Sequence, residues 1–340
     1  MASDGERWHL FCKVVDNYGD AGVAWRLARQ LVAEHGKNVR LVLADLETLA
    51  KIRPEVDPRR DIQELHGVEI ARAVGQVEPE RVADVVVETF GCDPPEAYVL
   101  AMAQRKTTPR WLNLEYLSAE EWVEGSHTLP SPHPRLPLVK HFFFPGFTER
   151  TGGLLREAGL FARRDAFRAT MPKVRGLRAS VFAYPSAPLP ALMRTFNETK
   201  QPVEAWVPGM TVDFVDQDRY DEMLWSCDVN FVRGEDSFVR AQWAGRPFVW
   251  HIYPTEDGAH WKKLTAFLAR YTEGMDREDA LAVSTLWGAW NRGGNVGSAW
   301  HAFADRLPSL EAHAQRWAAK LGARRDLAAG IVDFADRVLK

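Results

Sequence analysis

The sequence predicts an α/β protein made of two parallel-sheet domains in tandem, with helices at its C-terminal end. Three observations carry that expectation. Short apolar runs alternate with amphipathic stretches through the first half of the chain. The same alternation restarts after a Pro- and Gly-rich passage. And 340 residues are more than one hydrophobic core ordinarily serves. The expected division is residues 1–150 and 151–321, with a last helix, 322–340, completing the first domain.

Residues 8–15 form an apolar run that ends in a glycine-containing turn. Residues 22–35 place Val23, Leu27 and Leu31, with Ala24 and Ala28, on one helical face. A strand at 39–44, a helix at Leu46–Ile52 and strands at Val68–Ala71 and 82–88 follow. Residues 94–105 read as a helix with proline in its first turn, and Arg110–Leu114 as a strand. This order implies a parallel sheet covered on both faces. Residues 125–137, GSHTLPSPHPRLP, read as a loop, and HFFFPGFTERTGGLLRE as the connection between domains. The second series runs strand 177–184, helix 188–199, strand 203–207, helix 220–227, strand 229–232, helix 237–244 and strand Phe248–His251. Alanine-rich helices occupy 308–340. Two α/β domains in tandem, then helices, is the plan of the GT-B glycosyltransferases: Rossmann-like domains facing a central cleft, with the ligand at the carboxyl ends of the strands.

Composition narrows the function. A net charge of −3 argues against a general nucleic-acid partner. Cys12, Cys92 and Cys227 are scattered without CxxC spacing, which argues against a structural zinc or a disulfide framework and fits a reducing cytoplasm. No apolar run approaches the length of a membrane span, and MASDGERWHLF is too polar for a signal peptide. The ten histidines show no HExxH or other ligand pairing, so no catalytic metal is expected. Most of the 13 tryptophans are expected in the cores.

Four stretches could carry chemistry. In VVDNYGDAGVAWRLARQL, Gly19 and Gly22 give only GxxG, so a dinucleotide reading is weak. Asp16 and Asp20 suit the roles of turn-former and helix N-cap; alternatively, one faces the ligand as a general base. In CDVNFVRGEDSFVRAQWAGRPFVWHIYP, a strand ends at Arg233-Gly234-Glu235-Asp236-Ser237 and a helix begins at once. Such a helix N-terminus suits a diphosphate, with Arg233 and the Ser237 hydroxyl adding donors and Glu235 accepting from sugar hydroxyls. Asp236 or Ser237 would equally serve as a cap. Phe214 and Gln217, preceding a helix, could stack on and read a pyrimidine, although a core Phe and a surface Gln explain the same residues. Tyr184 is a similar strand-end case. In WLNLEYLSAEEWVE, Ser118 and Glu121 read as a capping box, and Asn113 and Glu115 could face an acceptor.

Together these stretches, with FFFPGFTERTGGLLRE between them, resemble the elongation factor P arginine rhamnosyltransferases (EarP) over nearly the whole chain; RGEDSFVRAQWAG is a specific block. The chain departs from the family in loops that look trimmed, around residues 53–80 and 150–180. The resemblance implies inverting, metal-independent transfer of rhamnose from dTDP-β-L-rhamnose, with no other cofactor, to one arginine of elongation factor P. It makes Asp20 the general base, Asp16 a companion carboxylate and Glu235 a second essential acid. It places Asn17, Tyr18, Gly19, Tyr184, Phe214, Gln217, Arg233, Gly234, Glu235, Asp236 and Ser237 on the donor, with Phe214 and Gln217 on thymine. Asn113 and Glu115 would contact the acceptor. A cationic acceptor would explain carboxylates at the opening turn. The main alternative is a GT-B enzyme acting on a small molecule or glycan. A non-catalytic nucleotide-sugar module would keep the RGEDS turn and tolerate loss of Asp20.

Overall fold

The structure, a computed structural model, describes residues 5–16, 18–75, 77–172, 175–199 and 202–338. The chain divides into two compact units, Met1–Ala158 with Arg324–Lys340, and Gly159–Ala323. None of the described helices is long and apolar enough to cross a membrane.

The first unit contains strands β1 (Arg7–Cys12), β2 (Asn38–Leu43), β3 (Ile62–Leu65), β4 (Val68–Ala71), β5 (Val85–Thr89), β6 (Arg110–Leu114), β7 (Pro130–Pro132) and β8 (Val139–Phe143). Their order across the sheet is β3-β4-β2-β1-β5-β6-β8-β7. Helices α1 (Tyr18–His35), α2 (Leu46–Ile52), α3 (Glu96–Gln104) and α4 (Trp122–Ser126) connect them. The six central strands are parallel, as the alternation implies, and the middle ones, β1, β5 and β6, are buried on both faces. One face packs Trp8, Leu10, Leu41 and Val87 against Ala24, Leu27 and Leu31 of α1; the other packs Phe11, Val86 and Trp111 against Tyr98 and Met102 of α3.

Both edges depart from the expected all-parallel sheet. β3 pairs antiparallel with β4 through a two-residue turn in which His66 and Gly67 have φ of 50° and 76°. Two successive positive φ angles match the twist of a tight hairpin. β7 pairs antiparallel with β8 inside the stretch read as a loop, and its prolines stand where a strand has no outer neighbour to bond. The capping box at Ser118 and Glu121 does not form. The Ser118 hydroxyl instead accepts from the Glu120 N–H (3.2 Å) and donates to the Glu120 carboxylate (2.9 Å), and α4 starts four residues later.

The second unit carries a four-stranded parallel sheet, β10-β9-β11-β12, from β9 (Leu177–Val181), β10 (Val203–Trp206), β11 (Val229–Arg233) and β12 (Phe248–His251). Its helices are α5 (Leu160–Ala169), α6 (Leu189–Glu198), α7 (Gln217–Ser226), α8 (Asp236–Ala244), α9 (Ala259–Tyr271), α10 (Arg277–Arg292), α11 (Val296–Ala304) and α12 (Leu307–Gly322). The helical region therefore begins well before residue 308. Tryptophans do fill this core: Trp287, Trp290 and Trp300 are fully buried among Phe231, Phe248 and Phe267. A buried ion pair, Asp221 with Arg240 through two bonds of 2.9 and 2.6 Å, clamps α7 to α8.

The last helix, α13 (Leu327–Val338), lies in the first unit, with Ala328, Ile331 and Ala335 buried in the same core as α1. The returning chain packs so closely on Gly153, whose φ is +78°, that a Cβ there would stand 2.3 Å from the Arg325 carbonyl oxygen. The Gln30 amide ties the return down by donating to Asp326 and to the Arg156 carbonyl.

Candidate active site

In the first unit the site is the loop between β1 and α1. The helix starts at Tyr18, earlier than the apolar periodicity indicates, so Gly19 and Asp20 lie in its first turn. Asn17 falls outside the described residues. Gly19 donates its N–H to the Asp16 carbonyl (2.7 Å), and an added Cβ would meet Asp16 Oδ2 at 2.8 Å, so glycine lets the Asp16 carboxylate lie against the helix start.

Asp20 is not the N-cap of α1. Its carboxylate turns back to the loop, where a single oxygen, Oδ2, accepts the N–H groups of Val15 (2.7 Å) and Asp16 (2.8 Å), and the Tyr116 side chain adds a further hydrogen bond. Asp20 is 2% exposed. Burial raises its pKa, and these three hydrogen bonds offset only part of that rise. The result is a carboxylate more basic than one in water. Asp16 is also buried, and Tyr18 is half-buried against the same core.

Asn113, at the end of β6, is buried. It donates from Nδ2 to Glu115 Oε1 (2.6 Å) and accepts from the Gly91 N–H (3.3 Å). The structure thus pairs the two expected acceptor residues, and Tyr116, which follows them, reaches Asp20. Tyr116 was not singled out by the sequence; its place beside the chemical NLE stretch was the available signal. Nor was Glu88, a fully buried β5 carboxylate bonded to Lys140 and pushed up to about 7 by its burial.

In the second unit, β11 delivers Arg233 to the start of α8. Gly234 takes φ +59°, its N–H reaches the His251 carbonyl (3.3 Å), and its own carbonyl accepts from the Trp250 indole (2.7 Å). Glu235 occupies the cap position of α8 without a side-chain cap bond, so neither Asp236 nor Ser237 is the cap. The Ser237 hydroxyl accepts the Arg233 N–H (3.0 Å) and donates to the Arg233 carbonyl, so its proton is committed within the turn. Asp236 accepts from Gln217 Nε2 (3.0 Å).

The Arg233 guanidinium lies between two rings, 4.3 Å from the centroid of Phe182 and 4.7 Å from that of Tyr184, and donates to the Ala183 carbonyl. Phe182 meets Phe214 edge-on at 6.4 Å. Phe214 is 40% exposed and Gln217 only 5%, the reverse of a core Phe and a surface Gln. Tyr184 packs against His251 and Tyr253, and its N–H donates to His251 Nδ1 (3.2 Å). Burial first, then the charge of Arg233, pushes the His251 pKa down to about 4, so the ring is a neutral acceptor. The structure therefore gathers Tyr184, Phe214, Gln217, Arg233, Glu235, Asp236 and Ser237 around one turn. It adds Phe182, just after β9, His251, the last residue of β12, and Tyr253, two residues beyond it; those strand-end positions were the readable signal. Among the described residues no group of three or more His, Cys, Asp or Glu side chains is placed to hold a metal ion.

Comparison with known proteins bears on the family and the fold. The family model described as "Elongation-Factor P (EF-P) rhamnosyltransferase EarP" matches residues 8–212 and 209–336. A protein-arginine rhamnosyltransferase of Pseudomonas putida is 46% identical over 369 aligned positions, covering 96% of this chain and 98% of that protein. One of Pseudomonas aeruginosa is also 46% identical, with coverage of 96% and 98%. A solved structure concerned with EarP-mediated arginine glycosylation of translation elongation factor EF-P superposes with a TM-score of 0.66 at 34% identity, covering 97% of this chain and 99% of that one. The fold is that of the GT-B glycosyltransferases, and the chain belongs to the EarP family of elongation factor P rhamnosyltransferases.

Proposed function

We propose that this protein transfers L-rhamnose from dTDP-β-L-rhamnose, with inversion and without a divalent metal, to the guanidinium of one arginine of elongation factor P. The observation that carries the reading is Asp20: a buried carboxylate made more basic by its surroundings, beside a second carboxylate at Asp16. That pair suits a cationic acceptor.

Arginine's pKa exceeds about 12, so Asp20 does not strip the proton beforehand. It accepts a hydrogen bond from a guanidinium N–H and orients that nitrogen. As the N–C1 bond forms and the bond from C1 to the phosphate oxygen breaks, the proton passes to Asp20. The product guanidinium keeps a single positive charge, and dTDP leaves as the anion. Attack opposite the leaving group turns the β-linked donor into an α-linked product. Asn113 and Glu115 hold the acceptor.

In the second unit, Phe214 stacks on thymine. Gln217, whose Nε2 donates to Asp236, reads the thymine edge. Tyr184 lines the donor pocket. The N-terminus of α8, through the backbone of Gly234, Glu235, Asp236 and Ser237, and the Arg233 guanidinium meet the diphosphate and stabilise the leaving group in place of a metal. Glu235 accepts from the sugar hydroxyls, and Asn17, Tyr18 and Gly19 complete the donor contacts. Free Cys12, Cys92 and Cys227 accord with work in the cytoplasm.

Intact-mass spectrometry of elongation factor P, incubated with this protein and dTDP-β-L-rhamnose in excess EDTA, tests the reading. A gain of one deoxyhexose, lost when the acceptor arginine is replaced by lysine, is expected, with an α linkage by NMR. No gain with or without magnesium would defeat the proposal. A gain only with magnesium would remove metal independence, and a β linkage would remove inversion.

A further inference from the structure

Phe90 stands in the left-handed region with φ +59°, an unusual place for a bulky side chain. It is held there: its N–H donates to the Leu114 carbonyl at 2.7 Å, and the following Gly91, at φ +67°, donates to Asn113. The backbone geometry alone would suit glycine better, so the ring is what the position retains. That ring stacks on Tyr116, centroids 4.5 Å apart and planes 16° from parallel, and also packs on the core of the first unit. Tyr116 in turn hydrogen-bonds Asp20.

We propose that Tyr116 is a positioning residue for Asp20, and that the strained ring of Phe90 is the buttress that holds Tyr116 in place. The two backbone N–H bonds to Asp20 both fall on one oxygen, Oδ2. The Tyr116 side chain supplies a further hydrogen bond, and on this proposal it helps hold the carboxylate toward the acceptor nitrogen. It also favours the charged form against the pull of burial. This inference rests on Asp20 being the base. The titratable groups shown against Asp20 are Cys12 at the end of β1, Asp16 in the loop and Tyr116 itself, with Glu115 next to Tyr116 in the chain. Burial keeps the Cys12 thiol protonated, and Asp16 and Glu115 are unchanged in the variants below.

The experiment compares wild type, Tyr116→Phe and Phe90→Leu by three readouts. These are the carboxyl titration of Asp20 in protein carrying ¹³C-labelled aspartate, single-turnover rate against pH, and dTDP affinity. The Asp20 resonance is assigned by its disappearance in Asp20→Asn. Tyr116→Phe should move the Asp20 titration and the acid limb of the rate profile upward together, by roughly one pH unit. The plateau rate should fall about tenfold or more from lost alignment, with dTDP affinity unchanged. Phe90→Leu should shift both in the same direction by less. An Asp20 titration identical in wild type and Tyr116→Phe would overturn the proposal even if activity fell. A titration that moves while the rate profile stays fixed would instead sustain the contact and remove Asp20 as the base.

Discussion

Because both backbone donors to Asp20 fall on one oxygen, an asparagine can keep them with its own carbonyl oxygen. Asp20→Asn should therefore melt close to wild type and bind dTDP normally, while single-turnover transfer drops by about 10²–10⁴-fold, the usual scale for a lost general base. A sharp fall in melting temperature with an unchanged rate per folded molecule would make Asp20 structural. Glu88 offers a test of the opposite kind. Its folded pKa of about 7 lies above its ordinary value of 4.5, chiefly through burial, with Lys140 pulling it down and Asp93 pushing it up. The folded state thus binds the proton more tightly than the unfolded chain. The stability this gives is complete below the ordinary value and is lost as pH rises through the folded one. Glu88→Gln, which cannot titrate, should gain on wild type between about pH 5 and about pH 8 in urea melts. Parallel curves would show that Glu88 is not the group responsible.

At the level of the element, the turn from β11 into α8 does three things with one run of five residues. Gly234 supplies the positive φ, Ser237 locks both backbone groups of Arg233, and the rings of Phe182 and Tyr184 flank its guanidinium. Lysine carries the same charge but neither the planar stack nor the fork of donors. Arg233→Lys should keep the fold and weaken dTDP binding by about tenfold or more, measured by calorimetry. Equal affinity would show that charge alone suffices. The site residues of this turn were legible because chemistry and local pattern coincide there: a strand, a glycine and a helix start in immediate succession. The edge strands were not. β3 has an exposed Ile62 and a two-residue turn without Asn-Gly, and β7 is a Pro-Ser-Pro run that reads as loop until β8 pairs with it.

For the molecule as a whole, each unit carries a separate part of the proposed reaction, the base in the first and the donor turn in the second. Titrating the full chain with dTDP should shift amide resonances of Gly159–Ala323, chiefly around Phe214, Gln217 and the start of α8. Ligand at 100 times its Kd should add about 2.7 kcal/mol of stability to the state that binds it. Shifts confined to the first unit would overturn the assignment of the donor turn.

The sequence by itself determined the two series of alternating strands and helices, the parallel sense of both central sheets, and the stretches that carry carboxylates, arginine and aromatic rings. Those are local properties: periodicity, turn residues and side-chain chemistry are written within a few positions of each other. Only the tertiary structure decided that the Asp20 carboxylate faces backward onto its own loop, and that Tyr116 crosses from the end of β6 to meet it. It likewise decided that Phe90 is strained into a stack beneath Tyr116, and that Phe214 is exposed while Gln217 is buried. Those outcomes depend on strand register and on which surfaces cover each side chain, and such long-range packing leaves no periodic mark in the chain.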